Sequence, residues 1–592
     1  MVPHKRKPLE GWSGIFSNDN LNKIIIMKTK SLLVALFALP TLCSAAVPPI
    51  THQACEQTIV RPASNDGRYL WLPIQENAPE GRVCVVVGNT EIMRQNVRMA
   101  RENVDYYLAL DMKPWLNEKG FNVVVQDVPE GCICFKKMEQ NNDENFQLID
   151  EPFRPSFHHT PKRGWMNDPN GMFYKDGVWH LYYQYNPYGS MWGNMHWAHS
   201  TSTDLINWTA QPTALVPDTW GAMFSGSCIV DHNNTTGFGK DAVVAMYTAA
   251  RPTPFGGDVQ AQCLAYSTDG GMTFTKYEGN PVLTAPIKDF RDPNMFWNDE
   301  INAWNLILAC GQEMRIYSSP DMKTWKEESR FGEGLGGHGG VWECPDLMRV
   351  RVKNDRLKIN EMKWVLICNI NPGGANGGSA TQYFVGDFDG HKFTVDDEAR
   401  YTNGNSLWQD YGKDHYATVS FSNAPGGRQP MIAWMSNWEY ANDVPTKQYR
   451  SANSIVRDPF LYEGADKKLY LGSAPAQEYD GKGLDKTVKI KGSCKIVLSN
   501  DEGEEYVLTY DQKAMTLTAD RSKSGVTGFS ANFLKAGGES EAPVVAPVRN
   551  KLTSLRLFID KSSVEAFGNN GEVCITNLVF PKSQFNKVTI KK

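Results

Sequence analysis

The sequence predicts a mainly β chain: a five-bladed β-propeller followed by a C-terminal β-sandwich, with a small α+β accessory domain in front. Three observations carry that prediction. From about residue 156 to 457 the chain runs as short segments rich in Trp, Tyr and Val, broken by Gly, Asn, Asp and Pro, the texture of strands separated by turns. A weak repeat runs through the same region: Ser-x-Asp-x-x-x-Trp at 202–208, Ser-x-Asp-x-Gly-x-Thr-Phe at 267–274, and looser versions at 319–325 and 386–393. Its aspartates, Asp204, Asp269, Asp321 and Asp389, lie 65, 52 and 68 residues apart, which suits blades of four strands with a turn at the same place in each. About 300 residues at about 60 per blade give five blades. From Leu469 onward, alternating strands without the repeat and with clear turn signals predict a sandwich.

The elements follow in order. Residues 27–30 are a basic start, 31–42 an apolar run and 44–46 a small-residue cleavage site, so residues 1–46 read as a leader and export signal, with Met27 a candidate true start. The apolar run is too short to span a bilayer and no other stretch is long enough, so no transmembrane segment is expected in the mature chain. The expected location is periplasmic or extracellular, with lipid anchoring through Cys43 as the alternative; Pro40-Thr41-Leu42 fits a lipobox poorly. Residues 48–148 form the accessory domain, with strands at 82–87 and 122–126, a helix near 91–110 and a polar linker at 139–144. The propeller is expected over 152–457. The sandwich, 468–592, has strands at 495–498, 505–510, 515–519 and 554–559, and Asn570-Gly571 signals a type I′ hairpin between 563–567 and 572–578.

Composition narrows the partners. A chain of 592 residues is too long for one core. A net charge of −5 argues against nucleic acid, which wants a basic face, whereas a neutral polysaccharide makes no such demand. The load of 17 Trp and 23 Tyr serves core packing and also suits stacking on sugar C–H faces. The 12 cysteines do not form a disulfide framework, because Cys43 falls in the leader and leaves an odd number. Cys310 and Cys368 sit in apolar runs and read as buried thiols. A Cys55–Cys84 bridge stays open. Cys132-x-Cys134 is too tight for zinc, His158-His159 lacks matching ligands, and the glycine-rich 334–340 lacks the Gly-Lys-Ser/Thr of a P-loop. No metal and no cofactor are expected.

Three carboxylate motifs carry the chemistry: W-M-N-D-P-N-G at 165–171, R-D-P at 291–293 and E-C-P-D at 343–346. Each places an acid beside a proline, which restrains the local backbone. Two acids flanking a sugar linkage, one as nucleophile and one as proton donor, are what a retaining glycosidase requires, and a third can stabilise the cationic transition state. Asp168 and Asp292 are 124 residues apart, close to two blades, and Asp292 and Glu343 are 51 apart, close to one. Equivalent positions in different blades would therefore converge at one funnel.

In this order the motifs resemble those of the β-fructofuranosidases of glycoside hydrolase family 32: invertases, inulinases and levanases. The long forms S-F-H-H-T-P-K-R-G-W-M-N-D-P-N-G and G-G-V-W-E-C-P-D carry the resemblance, joined in the sandwich by L-R-L-F-I-D-K-S-S-V-E-A-F. It runs from about Ser156 to the C-terminus and leaves the accessory domain without a role. The segment 449–453, followed by Arg457-Asp458-Pro459, departs from the family's usual end of the last blade. The resemblance implies Asp168 as nucleophile, Glu343 as acid/base and Asp292 as transition-state stabiliser. It also implies that Asn167, Gln184, Trp192, Phe224, Ser225 and Arg291 line the subsite for the terminal fructose, with Trp438 as a further wall. Arg291 is expected to hold Asp292 ionised, and Glu343 must be protonated to act as an acid. Asp410 and Asp414 match a family segment and are given packing roles; Asp560 and Glu565 are read as structural charges. The implied activity is that of a retaining, exo-acting fructan hydrolase on levan or inulin, and on sucrose. The alternatives are an endo-levanase or endo-inulinase, a fructosyltransferase, or a non-catalytic glycan-binding propeller.

Overall fold

The computed structural model describes residues 57–62, 66–254, 256–353 and 361–592. The leader, Cys43 and Cys55 lie outside the described residues. The N-terminal module is built from two small sheets. One orders Gln57–Val60, Asn122–Gln126, Gly81–Val87 and Thr90–Val97; the other orders Tyr106–Asp111, Tyr69–Ile74 and Glu139–Asn141. Leu72, Val83, Leu108 and Val125 fill the core between them.

The helix expected near 91–110 does not form. That stretch holds the strands Thr90–Val97 and Tyr106–Asp111 instead. Gly88, at φ +60°, opens a two-residue turn that folds Thr90 back against Val87, as the first central residue of a type II′ turn does. Tyr106–Asp111 then alternates buried and half-buried residues with the period of a strand. The linker expected at 139–144 begins as an edge strand, Glu139–Asn141 pairing with Tyr69–Trp71; its polar side chains suit an exposed edge. Among the described residues the only α-helical turn is Cys134–Lys137, so the module is β rather than α+β.

A β-propeller follows. Its first sheet holds Gly164–Lys175, Val178–Asn186, His196–Ser202 and Thr209–Leu215. The second begins at Ala222–Asp231 and the third at Phe290–Asn298. The fourth sheet has ten strands, because the parallel pair Val352↔Leu461 joins the unit beginning at Val341–Lys353 to the strands Arg457–Glu463, Met431–Met435 and Tyr416–Ser420. The repeat seen in the sequence is one turn used four times. Asp204, Asp269, Asp321 and Asp389 each accept backbone N–H groups two to four residues ahead, at 2.6–3.1 Å, on the way into the outermost strand.

The strands Gly164–Lys175, Ala222–Asp231, Phe290–Asn298, Val341–Lys353 and Tyr416–Ser420 contact one another in a closed ring. All five share one irregularity. Each slips register against its neighbour near its start, between Met166 and Pro169, Met223 and Gly226, Arg291 and Asn294, Glu343 and Asp346, and Tyr416 and Val419. A β-bulge of this kind re-aims the side chains it carries. Tyr449-Arg450, in the segment that departs from the family pattern, pairs in parallel with Gly164-Trp165 and ties the end of the propeller to its beginning.

The sandwich packs a sheet of Asp485–Lys489, Ser554–Ile559, Ser563–Gly568 and Val573–Leu578 on one of Val544–Pro547, Thr516–Lys523, Glu505–Asp511, Cys494–Ser499 and Lys587–Lys591. The connection expected as a two-residue hairpin spans four residues: Gly568 pairs with Val573, and Asn569, Asn570 and Gly571 all take positive φ. Cys310 and Cys368 are buried, as their apolar context predicts.

Buried charges join sandwich to propeller. His158 lies between Asp560 and Glu565, each 2.9 Å from one ring nitrogen. Arg457 reaches Asp410 Oδ2 at 2.8 Å and also donates to Glu565. Arg521 donates to Asp414 at 2.7 Å. Asp410, Asp414, Asp560 and Glu565 are therefore structural charges. His159 is engaged by Asn453 and Ser200.

Burial pulls His158 down, but the two carboxylates outweigh it and bring the imidazole up to about 9. Burial pushes Glu565 up, while Arg457 and His158 bring it down to about 2. The His158 contribution is complete below its ordinary 6.5 and is lost as pH rises through 9. The Glu565 contribution is complete above 4.5 and is lost as pH falls through 2. The network is thus fully stabilising only between these ordinary values. Calorimetry across pH is expected to show the unfolding midpoint declining from pH 6.5 toward 9, with a smaller decline in His158→Gln. Equal declines in both proteins would remove His158 from the explanation.

Candidate active site

The bulges place the predicted residues. Asn167 and Asp168, Phe224 and Ser225, Asp292, and Glu343 with Cys344 all sit at or beside a register slip on four of the five ring strands. Asp292 takes φ +66° and Cys344 φ +41°, left-handed conformations that turn the chain abruptly at those points. Asn167, Asp168, Gln184, Trp192, Phe224, Ser225, Arg291, Asp292, Glu343 and Trp438 all line one cavity of about 340 Å³. A larger cavity of about 570 Å³ is lined by a different set of residues, including His232, Trp297 and Arg428, and holds none of the three motif acids.

Asp168 is held from three sides. Asn167 Nδ2 donates to its Oδ1 at 3.0 Å and Ser225 Oγ to its Oδ2 at 2.9 Å, while Cys344 Sγ lies 3.5 Å from Oδ2. Trp165 Nε1 fixes Asn167 by donating to Oδ1 at 2.8 Å. Burial first, and then the Glu343 charge, push the Asp168 carboxyl up against these donors. Cys344 also spans to Asp292: its backbone N–H donates to Oδ2 at 2.9 Å and its Sγ lies 3.6 Å from the same oxygen. The Asp292 N–H donates to Thr248 Oγ1 at 3.0 Å.

Arg291 does not serve Asp292 as expected. Its fork grips Glu343 Oε1, at 2.7 Å from Nη2 and 3.1 Å from Nε, and Asp289 Oδ1 at 2.7 Å from Nη1; Asp292 is 4.0 Å away. Burial drives the Asp292 carboxyl up to about 7; Arg291 opposes this, and the nearby Glu343 and Asp168 charges add to it. Asp292 is thus far from firmly ionised. The second oxygen of Glu343 accepts from the Tyr416 hydroxyl. Arg291 and Tyr416 together fix the Glu343 carboxyl by both oxygens.

The walls are aromatic and amide. Gln184 donates to Met223 O at 2.8 Å. Trp438 stacks on Trp165 with ring centroids 5.8 Å apart. Trp192 is 47% exposed and meets Phe224 edge-on at 6.1 Å. Sequence reasoning missed Cys344, Tyr416, Asp258, Gln260, Asp289 and Asn371, which touch the acids or line the cavity. Signals existed for two of them: Cys344 lies inside E-C-P-D, and Tyr416 lies two residues past Asp414, in the same stretch 408–417 that matches the family segment. Asp258 and Gln260, at the start of the strand Asp258–Ser267, had none.

Three carboxyl groups set about one cavity, with the exposed Trp192 ring and the half-buried Phe224 and Trp438 to receive a sugar, define a glycoside hydrolase built on a propeller. The comparisons make that specific. The chain belongs to glycosyl hydrolase family 32: the model of the family's N-terminal domain matches residues 158–472, and that of its C-terminal domain matches 467–592. Residues 55–157 match a family described as a domain of unknown function. The chain is 42% identical over 470 residues to a levanase of Bacillus subtilis, covering 73% of this chain and 67% of that one. It is 35% identical over 496 residues to an extracellular exo-inulinase of Aspergillus niger, covering 73% and 90%. The crystal structure of an exo-inulinase from Aspergillus awamori matches with a TM-score of 0.66 at 34% identity, covering 75% of this chain and 96% of that chain.

Proposed function

We propose that this protein is a retaining, exo-acting β-fructosidase that releases terminal fructose from levan or inulin, and from sucrose. The observation that carries the reading is the pairing of two differently held acids: Asp168, fixed by Asn167 and Ser225, and Glu343, fixed by Arg291 and Tyr416. Asp168 attacks the anomeric carbon of the fructosyl unit while Glu343 gives its proton to the departing glycosidic oxygen. A covalent fructosyl ester on Asp168 results. Glu343, now a carboxylate, takes a proton from water as that water attacks the same carbon, which frees fructose and restores both acids. Asp292, held by the Cys344 N–H, binds sugar hydroxyls beside the reacting centre and stabilises the transition state. Trp192, Phe224 and Trp438 offer apolar faces to the sugar, and Asn167, Gln184, Ser225 and Arg291 complete the subsite.

Relatives named levanase, exo-inulinase and invertase support fructan and sucrose as substrates; they do not favour the endo-acting, transferring or non-catalytic readings. Export is supported by the exo-inulinase relatives named extracellular and by the leader read in the sequence. No helix among the described residues is long and apolar enough to cross a membrane. The test is product analysis with levan, inulin and sucrose offered separately. Fructose is expected as the only product released from either polymer, with glucose appearing beside it from sucrose. A ladder of oligosaccharides would overturn exo action, and no product from any of the three would overturn the hydrolase.

A further inference from the structure

A second cavity, of about 210 Å³, lies between the N-terminal module and the propeller, and Trp192 lines both it and the catalytic cavity. Its propeller wall is the 186–194 segment. Its other wall comes from the module, through Glu76, Glu80, Asn96 and Arg98. The module grips the segment that carries Trp192. Asn96 and Asn194 exchange two hydrogen bonds, Asn96 N–H to Asn194 Oδ1 at 3.1 Å and Asn194 Nδ2 to Asn96 O at 2.8 Å. The Tyr106 and Ser190 hydroxyls lie 2.8 Å apart, both buried, and Arg98 contacts Met191 Sδ. Arg450 donates to Ser190 O at 3.0 Å and pairs with Glu76.

We infer that this cavity is a binding site for the fructan chain beyond the sugar being cleaved, with the N-terminal module supplying its outer wall. This rests on the fructosidase reading and deepens it. A chain leaving the catalytic cavity meets the exposed Trp192 ring at the boundary, where a furanose C–H face stacks, and then the polar groups of the module. Glu80 and Arg98 are reachable from solvent and stand 3.3 Å apart as a weak pair, so each keeps hydrogen-bonding capacity for hydroxyls. Each carboxylate here has a guanidinium partner, Glu76 with Arg450 and Glu80 with Arg98, so the wall carries no net charge and suits a neutral polyol. A disaccharide such as sucrose is too short to extend far into this site.

Glu80→Ala and Arg98→Ala, each made in the full chain, test this with steady-state kinetics on levan, inulin and sucrose. Both side chains reach solvent, and Glu80→Ala, which leaves the Arg98–Met191 contact in place, is the variant that reads the site apart from the support of the Trp192 segment. The expected result is a KM for the preferred polymer raised about fivefold, the loss of one hydrogen bond to sugar, with kcat/KM for sucrose unchanged within about twofold. Polymer kinetics unchanged in both variants would overturn the site. Equal losses on polymer and sucrose would also overturn it, since the module would then only hold the Trp192 segment in place. If the unaltered protein hydrolysed neither sucrose nor polymer, the functional reading itself would fall, a result distinct from either of these.

Discussion

Asp168→Asn is expected to lower kcat on sucrose, levan and inulin by about 10⁴-fold or more while sugar binding persists, because the substitution removes the attacking oxygen and keeps the shape. The surroundings make the swap sterically mild. An asparagine at 168 can still accept from Asn167, whose own orientation is set by Trp165, and its amide nitrogen can donate to the Ser225 hydroxyl in place of the bond that Ser225 gives the carboxylate. The lost charge also relieves repulsion: the Asp168 charge is one of those pushing Asp292 up, so neutralising it lets Asp292 ionise more readily. Binding of fructose, followed by calorimetry or tryptophan fluorescence, is therefore expected to change little, while initial rates fall to background. Retained turnover would remove Asp168 from the nucleophile role, and loss of binding together with rate would point to a structural collapse.

Arg457→Met is expected to destabilise the protein by about 3–5 kcal/mol, the cost of leaving buried carboxylates uncompensated. Arg457 is 1% exposed and serves two acids, Asp410 of the propeller and Glu565 of the sandwich, while Thr576 also donates to Asp410 at 2.7 Å. Methionine fills much of the volume but brings no charge. Denaturant unfolding of the variant, and of the same variant carrying Asp410→Asn and Glu565→Gln, is the check. The triple variant should recover part of the loss, because amides bury at lower cost than carboxylates. If Arg457→Met alone proved as stable as the unaltered protein, the interface charges would be solvated rather than buried.

The site was legible in the sequence because its chemistry sits in short motifs, and the propeller because its turn aspartates recur. Each of Asp204, Asp269, Asp321 and Asp389 closes a local turn within about four residues, so the signal survives without knowledge of the partner strand. The bulges left no such trace. A register slip is a relation between two strands, and Met166 or Glu343 looks the same in the sequence whether or not its neighbour is offset. Nor could the sequence say where the Arg291 fork would point. Adjacency favoured Asp292, but the positive φ at Asp292 turns the chain, and Arg291 meets Glu343, 52 residues on. The helix read into 91–110 failed for a related reason: the stretch lacks Gly and Pro, yet its fate was set by the turn at Gly88 just before it.

The register slips have a practical bearing on redesign. The three motif acids sit at the bulges of the innermost strands, with Asp168 and Asp292 held by local donors rather than by a cross-strand partner, whereas Trp192 and its surroundings belong to a separate peripheral segment braced by a different part of the chain. Mutational libraries aimed at altering which polymer is accepted can therefore be confined to that periphery and to the module that supports it. The three acids proposed to carry the reaction would be inherited intact by every member of such a library.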